Sequence, residues 1–559
     1  MVNDPDADAK FEVLVDELLR EAFRRLPVWA TECGFRGVDD DLGNFSLGAF
    51  HELINFGHYA LHRLRSEIPL DGLSFENQID YEVLTRKLSA TLELARQTRP
   101  WETDPTLYIT AVIDACYGLY VGEVDSFQNC LRFMLDRMSQ IPRVLKEGMK
   151  NLRNPSIEHT HTAIEITEGG FDFFRHILRT HQKELSSITS NYDELFRRVE
   201  ESFHLYHRFL KRDLLPLAKR VSAVGPEIFD FMLRELNFCG ITRSDLLKLG
   251  QTHLHEARRD LEQLSQRLGF GKNWRGLLLK DRKDYPRHRN LMECYRETID
   301  RAKQFVVDQK VVSLPRTGHL ILMETPEFDR PIIPLAAYVP GAPLVDGSPG
   351  LFFVTPVKWT PFWWRLKKNL IEHNRSKVNV TVVHESYPGH HLQYTRAREH
   401  PSRLRRLFDD DIFSEGWAMY AEELMLELGF DRDPITQLHV KRNVLWRALR
   451  VILDVELQSR NISTAQGIEM LMNQIGLDFS FAHSEIHRYL LEPTQPLSYL
   501  VGKIEILRLK RECEKRWGDQ FSLRDFHDRL LGAGELPIKM LEKALMGPEE
   551  NQSQALGIR

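Results

Sequence analysis

The chain has 559 residues, 42% of them hydrophobic and 28% charged, with a formal net charge of -5. That composition belongs to a globular chain with ample core. It excludes a general nucleic-acid binder, which needs a basic footprint, and no window approaches the roughly 18 apolar residues of a membrane span.

Residues 1–8 are acidic and lack the basic and apolar regions of a signal peptide, so a cytoplasmic location is expected. Residues 11–26 read as an amphipathic helix, with Phe11, Leu14, Val15, Leu18, Ala22 and Phe23 on one stripe and Pro27 at its end. A loop rich in Asp and Gly covers 34–43. From about 47 to 264 the pattern is helical almost throughout, as in 80–94, 127–145, 192–210 and 241–264, with joints expected at Pro100, Pro142, Pro155 and Gly225. His253 and His255 stand two apart, on different faces of a helix, so no second metal site is expected there. Six cysteines are scattered without a Cys-x-x-Cys pair, and reduced thiols are expected.

Between about 310 and 357 short apolar pieces are bounded by Pro and Gly, which predicts a small sheet. Its last strand, 350–356, is expected at an edge, where a substrate main chain could pair with it. Trp359, Phe362, Trp363 and Trp364 then cluster, lining a cleft or filling a core. After the motif region, helices are expected at 435–457, 464–476, 482–491, 500–517, 523–531 and 537–545, with a break at 493–496 and a frayed tail.

The chemistry concentrates in Thr381-Val-Val-His-Glu-Ser-Tyr-Pro-Gly-His-His-Leu-Gln393. A zinc-peptidase helix carries His-Glu-x-x-His, two imidazoles four residues apart with a Glu base beside the metal. Here the position four after His384 is Pro388, and the next histidines are His390 and His391. On an unbroken helix a step of six turns about 240°, and a step of seven climbs about 10.5 Å. Pro388 cannot donate to the His384 carbonyl and Gly389 adds freedom. A kink there can bring His390 to the metal, with His391 as the alternative. Glu415, 31 residues after His384 in Phe413-Ser-Glu-Gly-Trp-Ala-Met-Tyr-Ala-Glu-Glu-Leu424, is the candidate third ligand, with Ser414 as expected N-cap. Glu422, seven residues further, falls on a similar face and suits an imidazole N–H.

These two segments resemble the DUF885 family of zincin-like, mostly helical bacterial proteins. So do Leu26-Pro-Val-Trp-Ala-Thr-Glu-Cys-Gly34, Gln495-Pro-Leu-Ser-Tyr-Leu-Val-Gly-Lys503 and Phe521-Ser-Leu-Arg-Asp-Phe-His-Asp528. The resemblance implies a metal-dependent, peptidase-like hydrolase and points to Tyr499 and Arg488 as catalytic residues beside Glu385. The chain departs from the family pattern at Asp454-Val-Glu-Leu-Gln458, where a histidine is commonly found in place of Gln458.

The expected fold is therefore mainly α, a large helical zincin-like fold with a small β-sheet beside a deep active-site cleft. Residues 1–305 form its N-terminal helical region, 306–357 the sheet, 358–549 the helical metal-binding region and 550–559 a tail, all in one continuous unit. The expected function is zinc-dependent hydrolysis of short peptides or small amides. One zinc ion per chain is held by His384, His390 and Glu415, and Glu385 activates water. A metal-dependent enzyme acting on a non-peptide amide or biosynthetic intermediate, and a non-catalytic helical binding protein, are the alternatives. Neither a nucleic-acid nor a membrane partner is expected, and nothing in the sequence fixes an oligomeric state.

Overall fold

The computed structural model describes residues 5–121, 125–218, 222–280, 284–326, 330, 333, 335–357 and 370–547. The aromatic cluster at Trp359, Phe362, Trp363 and Trp364, and the tail at 550–559, lie outside the described residues. The fold is mainly helical with one three-stranded sheet. Two compact units emerge. One comprises Met1–Ser222 with Glu327–Asp329 and Ala342–Ser348; the other comprises Ala223–Pro326, Arg330–Gly341 and Pro349–Arg559.

The first unit is a stack of long helices, among them Pro5–Arg25, Leu47–Glu67, Phe75–Thr98, Phe127–Asn151, Ile157–Thr180 and Tyr192–Phe209. The apolar stripes of Phe127–Asn151, Ile157–Thr180 and Tyr192–Phe209 meet in a core that includes Met134, Met138, Ile141, Phe173 and Phe203. Pro142 does not end its helix as expected; it sits inside Phe127–Asn151. The flanking Met138, Ile141, Val144 and Leu145 are fully buried, and that packing outweighs the one missing backbone bond.

The second unit holds the motif region. Helix Pro434–Gln458 runs through it, with Leu445, Leu449, Leu453 and Leu457 spaced four apart on one buried stripe. Gly250 of helix Arg243–Arg267 packs closely on it, leaving no room for a side chain beside Ile452 and the Ala448 carbonyl. The sheet strands are β1 (Leu320–Glu324), β2 (Ala336–Val339) and β3 (Gly350–Val354), in the order β1-β3-β2. β3 pairs in parallel with β1 and antiparallel with β2. The expected edge position of β3 is thus corrected: it is the central strand, with both edges paired and all five residues buried. Its unbroken run Leu351-Phe-Phe-Val354 is what a strand covered on both faces requires. All six cysteines are free, five of them buried. Among the described residues no helix is long and apolar enough to cross a membrane.

Candidate metal centre

Helix Arg375–Glu385 starts at Asn374, whose side chain accepts the Lys377 N–H, and stops one residue past His384. Ser386 leaves helical geometry, and a new helix, His390–Ala397, starts after Gly389. Gly389 is packed against the preceding turn. A Cβ there would stand 1.9 Å from the His384 carbonyl oxygen and 2.3 Å from that of Val383, so no other residue fits. Across the break the Gly389 N–H reaches the Val383 carbonyl and the Leu392 N–H the Ser386 carbonyl, each spanning six residues. Trp417 Nε1 donates to the Pro388 carbonyl at 2.8 Å and pins the break. The extra residues are absorbed, and the His390 ring comes to 4.8 Å from that of His384, nearly perpendicular to it. His391 points elsewhere: its Nδ1 lies 3.4 Å from the Tyr338 hydroxyl, and its ring packs against Tyr387.

Glu415 arrives from helix Asp411–Glu427. Ser414 is not its N-cap. Asp410 is, accepting the Phe413 N–H at 3.0 Å, so the helix starts a turn earlier than expected. The helix crosses Gln495–Trp517 backbone against backbone. A Cβ on Gly416 would lie 2.4 Å from the Gly502 carbonyl carbon, and one on Gly502 would lie 1.7 Å from the Ile412 oxygen. Small residues at the crossing let Glu415 reach the two imidazoles.

Ligand atoms of His384, His390 and Glu415 lie within 4.8 Å of one another, the one such group among the described residues. Glu415 Oε2 is 3.4 Å from both His384 Nε2 and His390 Nε2. Ligands about 2.0–2.1 Å from a tetrahedral zinc ion stand about 3.3–3.4 Å apart. Glu415 Oε2 is also buried without a hydrogen-bond partner, and so is His390 Nδ1. A carboxylate oxygen that faces two imidazole nitrogens and is satisfied by neither fits a cation between them.

The surroundings reinforce this. Glu422 Oε1 accepts from His384 Nδ1 at 2.9 Å, which leaves Nε2 as the lone-pair atom of the neutral ring. Asn443 Nδ2 holds the other Glu422 oxygen at 3.0 Å. Burial alone would lower the His384 pKa, but Glu415 and Glu422 pull it up to about 10. Burial alone would raise Glu415, but the facing imidazoles hold it well below the usual carboxylate range. Such a cluster attracts positive charge.

Glu385 is half-buried beside this set, and the loss of solvent around it pushes its carboxyl up. The Tyr338 N–H of β2 donates to its Oε2 at 3.1 Å. The Thr355 N–H donates to the Leu335 carbonyl. In the antiparallel ladder Leu335, Ala337 and Val339 therefore turn their polar groups toward β3, and Ala336 and Tyr338 turn theirs outward. The edge that faces Glu385 is thus β2.

Tyr499 is the fifth residue of helix Gln495–Trp517. Its ring stacks on that of His384 at 6.3 Å and 16°. Burial raises its pKa to about 12. Gln495 Nε2 donates to the Tyr499 hydroxyl and to Glu415 Oε1, each at 3.3 Å. Arg488 does not reach the cluster directly; its Nη1 donates to Gln495 Oε1 at 2.8 Å and to Glu492 at 3.1 Å. Arg447 and Arg450 lie over the Tyr499 ring, 5.3 and 4.9 Å from its centre. Sequence reasoning missed Tyr338, Asn443, Arg447 and Gln495. Arg442, Arg447 and Arg450 share one helix, and the sequence carries no signal that sets the site-facing ones apart.

Gln458 is spent on the backbone. Its amide donates to the Tyr489 carbonyl at 2.8 Å and accepts from the Val224 N–H at 3.0 Å. Asp454 is fully buried and accepts the Thr494 N–H. His255 is exposed and bonded to its own helix at the Gln251 carbonyl.

No curated protein matches the chain. Two solved structures are similar over nearly their whole length. One is a proposed lipoprotein of unknown function from Shewanella oneidensis, with 22% identity, TM-score 0.79, and 96% of this chain and 100% of that chain covered. The other is a proposed lipoprotein from Colwellia psychrerythraea, with 17% identity, TM-score 0.82, and 98% and 99% covered. At these identities the likeness is one of fold. The expected cytoplasmic location is contradicted by the descriptions of the two structures, both of which are of proteins described as lipoproteins. The acidic character of residues 1–8 reports the charge of those residues and does not by itself set a location. The family described as bacterial proteins of unknown function, DUF885, matches residues 27–545, and the chain belongs to it.

Proposed function

We propose that this chain is a zinc-dependent hydrolase that cleaves amide bonds in short peptides. The observation that carries the reading is the convergence of two imidazoles and one carboxylate, with 3.4 Å separations, beside the half-buried Glu385. Two nitrogens and one oxygen suit zinc by ligand type, and three protein ligands are the number a catalytic site uses. A zinc ion held by His384, His390 and Glu415 supplies Lewis acidity toward water and the amide carbonyl.

The remaining work belongs to the chain. Glu385, in sequence next to the first ligand, takes a proton from the attacking water and passes it to the leaving amine. The raised Glu385 carboxyl suits a group that must both accept and return a proton. Tyr499 donates to the oxyanion that develops on the former carbonyl oxygen. Because Gln495 donates to the Tyr499 hydroxyl, that hydroxyl keeps its own hydrogen for another acceptor. Arg488 acts as a positioning residue. It fixes which end of the Gln495 amide faces Glu415 and Tyr499. A peptide main chain pairs along the outward edge of β2, at the Ala336 N–H and carbonyl and the Tyr338 carbonyl, whatever its side chains.

The test uses the purified chain and a mixture of short unstructured peptides, read by mass spectrometry. Cleavage that stops on chelation, returns with zinc and is absent in Glu385→Gln with its zinc retained supports the reading. No cleavage of any peptide by the zinc-loaded chain, or unimpaired cleavage by Glu385→Gln, overturns it.

A further inference from the structure

Helix Pro434–Gln458 places three polar side chains toward the cluster: Asn443, Arg447 and Arg450. Two of them have hydrogen-bond partners. Asn443 holds Glu422. Arg450 donates through Nε to the Tyr489 hydroxyl at 2.9 Å and through Nη2 to Glu485 at 2.8 Å. Despite burial, Arg450 and Arg488 hold the Glu485 carboxyl down to about 2, so that carboxylate is committed to those two guanidinium groups.

Arg447 is different. Its side chain is 12% exposed, and its Nε is buried without a partner. The nearest carboxylate oxygen, Glu422 Oε1, is 3.9 Å away and already accepts from His384. Beyond that, among the described residues, the guanidinium touches only ring faces, those of Trp446 and Tyr499. A guanidinium carries five N–H donors, and a buried one normally spends several of them. Arg447 is therefore a largely desolvated cation with an open hydrogen-bonding fork, one side chain removed from the metal cluster on two routes. One route runs through Glu422 to His384. The other runs through the Tyr499 ring, which stacks on His384.

We infer that Arg447 binds a carboxylate of the substrate. The reaction then acts on peptides that carry a free carboxylate close to the bond cleaved. This rests on the amide-hydrolase reading above. The planar fork matches a carboxylate through two parallel hydrogen bonds. A single negative charge fits the place, because Glu422 and Glu485 stand on either side of the arginine pair and oppose a second one. That carboxylate is the C-terminus of a peptide or an acidic side chain.

Three N-acetyl tripeptides separate these sources: one with a C-terminal acid, its C-terminal carboxamide, and a carboxamide with a glutamate side chain. Binding is measured by calorimetry to zinc-loaded Glu385→Gln, which removes turnover from the readout. The expected result is that a carboxylate-bearing probe binds at least about 10-fold tighter than the plain carboxamide, as one charged hydrogen-bonded pair provides. Which of the two gains identifies the source. In the double variant with Arg447→Gln the preference falls to within about 2-fold, while the zinc content stays the same. With Arg447→Lys, which keeps the charge and loses the fork, part of the preference survives. Equal binding of all three probes, no binding of any, or a preference that persists in Arg447→Gln overturns the inference. If the preference holds but the unmodified zinc-loaded chain cleaves none of the three, the hydrolase reading fails and the carboxylate site stands.

Discussion

Tyr499 sits where three influences meet: the face of His384, the amide of Gln495 and the guanidinium groups of Arg447 and Arg450. If its hydroxyl steadies the oxyanion, Tyr499→Phe lowers kcat by on the order of 10²-fold and leaves KM nearly unchanged, the loss typical of one donor. Steady-state kinetics on any cleaved peptide checks this, and an unchanged kcat returns Tyr499 to a packing role. Arg488→Met acts one step further away. It frees the Gln495 amide to turn, so kcat falls by a smaller factor of roughly 3 to 10 and the zinc content is unaffected. Parallel loss of zinc in Arg488→Met would show that this arginine holds the cluster itself. The meeting of His384, His390 and Glu415 was legible because spacing limits what a local break at Pro388 and Gly389 can do. The arginines were not legible. Arg442, Arg447 and Arg450 lie on one long helix, and only the position of Tyr499, some 50 residues on, separates a site-facing arginine from a solvated one.

The close Gly416–Gly502 approach sets the geometry at the helix crossing. Gly502→Ala drives a methyl group into the Ile412 carbonyl, 1.7 Å away, at the crossing that brings Glu415 and Tyr499 to the same place. The expected cost is about 1–3 kcal/mol in urea unfolding, together with weakened zinc retention. Gly240→Ala, whose Cβ would meet nothing within 4 Å, is the control and changes neither. A Gly502→Ala protein with unchanged midpoint and full zinc would show that the crossing tolerates separation. At this scale the sequence was an uneven guide. Helix Thr464–Ile475 lies within a residue of its expected bounds, because Ser463 and Gln466 close a capping box and Gly476 ends the helix in a left-handed conformation. Strand order was not readable. β3 pairs with a strand about 30 residues earlier and with one about 15 earlier, and the apolar run of β3 is the same whether it lies at an edge with a covered face or in the centre. Ser414 misled for a related reason. Asp409, Asp410 and Asp411 precede it, any of them a competent cap, and packing of Ile412 and Phe413 chose Asp410.

The whole molecule carries buried histidines outside the ligand set that shape its response to acid. His527 donates through Nδ1 to the Val311 carbonyl at 2.7 Å, so its Nε2 accepts from the Tyr420 hydroxyl at 2.9 Å. Burial lowers its pKa from 6.5 to about 4. His373, next to the Tyr295 hydroxyl, is lowered from 6.5 to about 4 by burial as well. The unfolded chain binds these protons near pH 6.5 and the folded chain only near pH 4. Stability is therefore full above about 6.5 and falls as the pH drops toward about 4, by about 3 kcal/mol for each histidine. Urea midpoints at pH 7.5 and pH 5 measure it, and His373→Gln removes about one proton from the acid limb. A midpoint independent of pH over that range contradicts the assignment. The central claim is that one cation is held by residues from two segments of the chain, and elemental analysis of the purified protein tests it most directly. The account predicts about one zinc per chain, lost in His384→Ala, His390→Ala and Glu415→Ala and retained in His391→Ala. A chain that binds no zinc, or a Glu415→Ala protein that keeps its full zinc content, would contradict it.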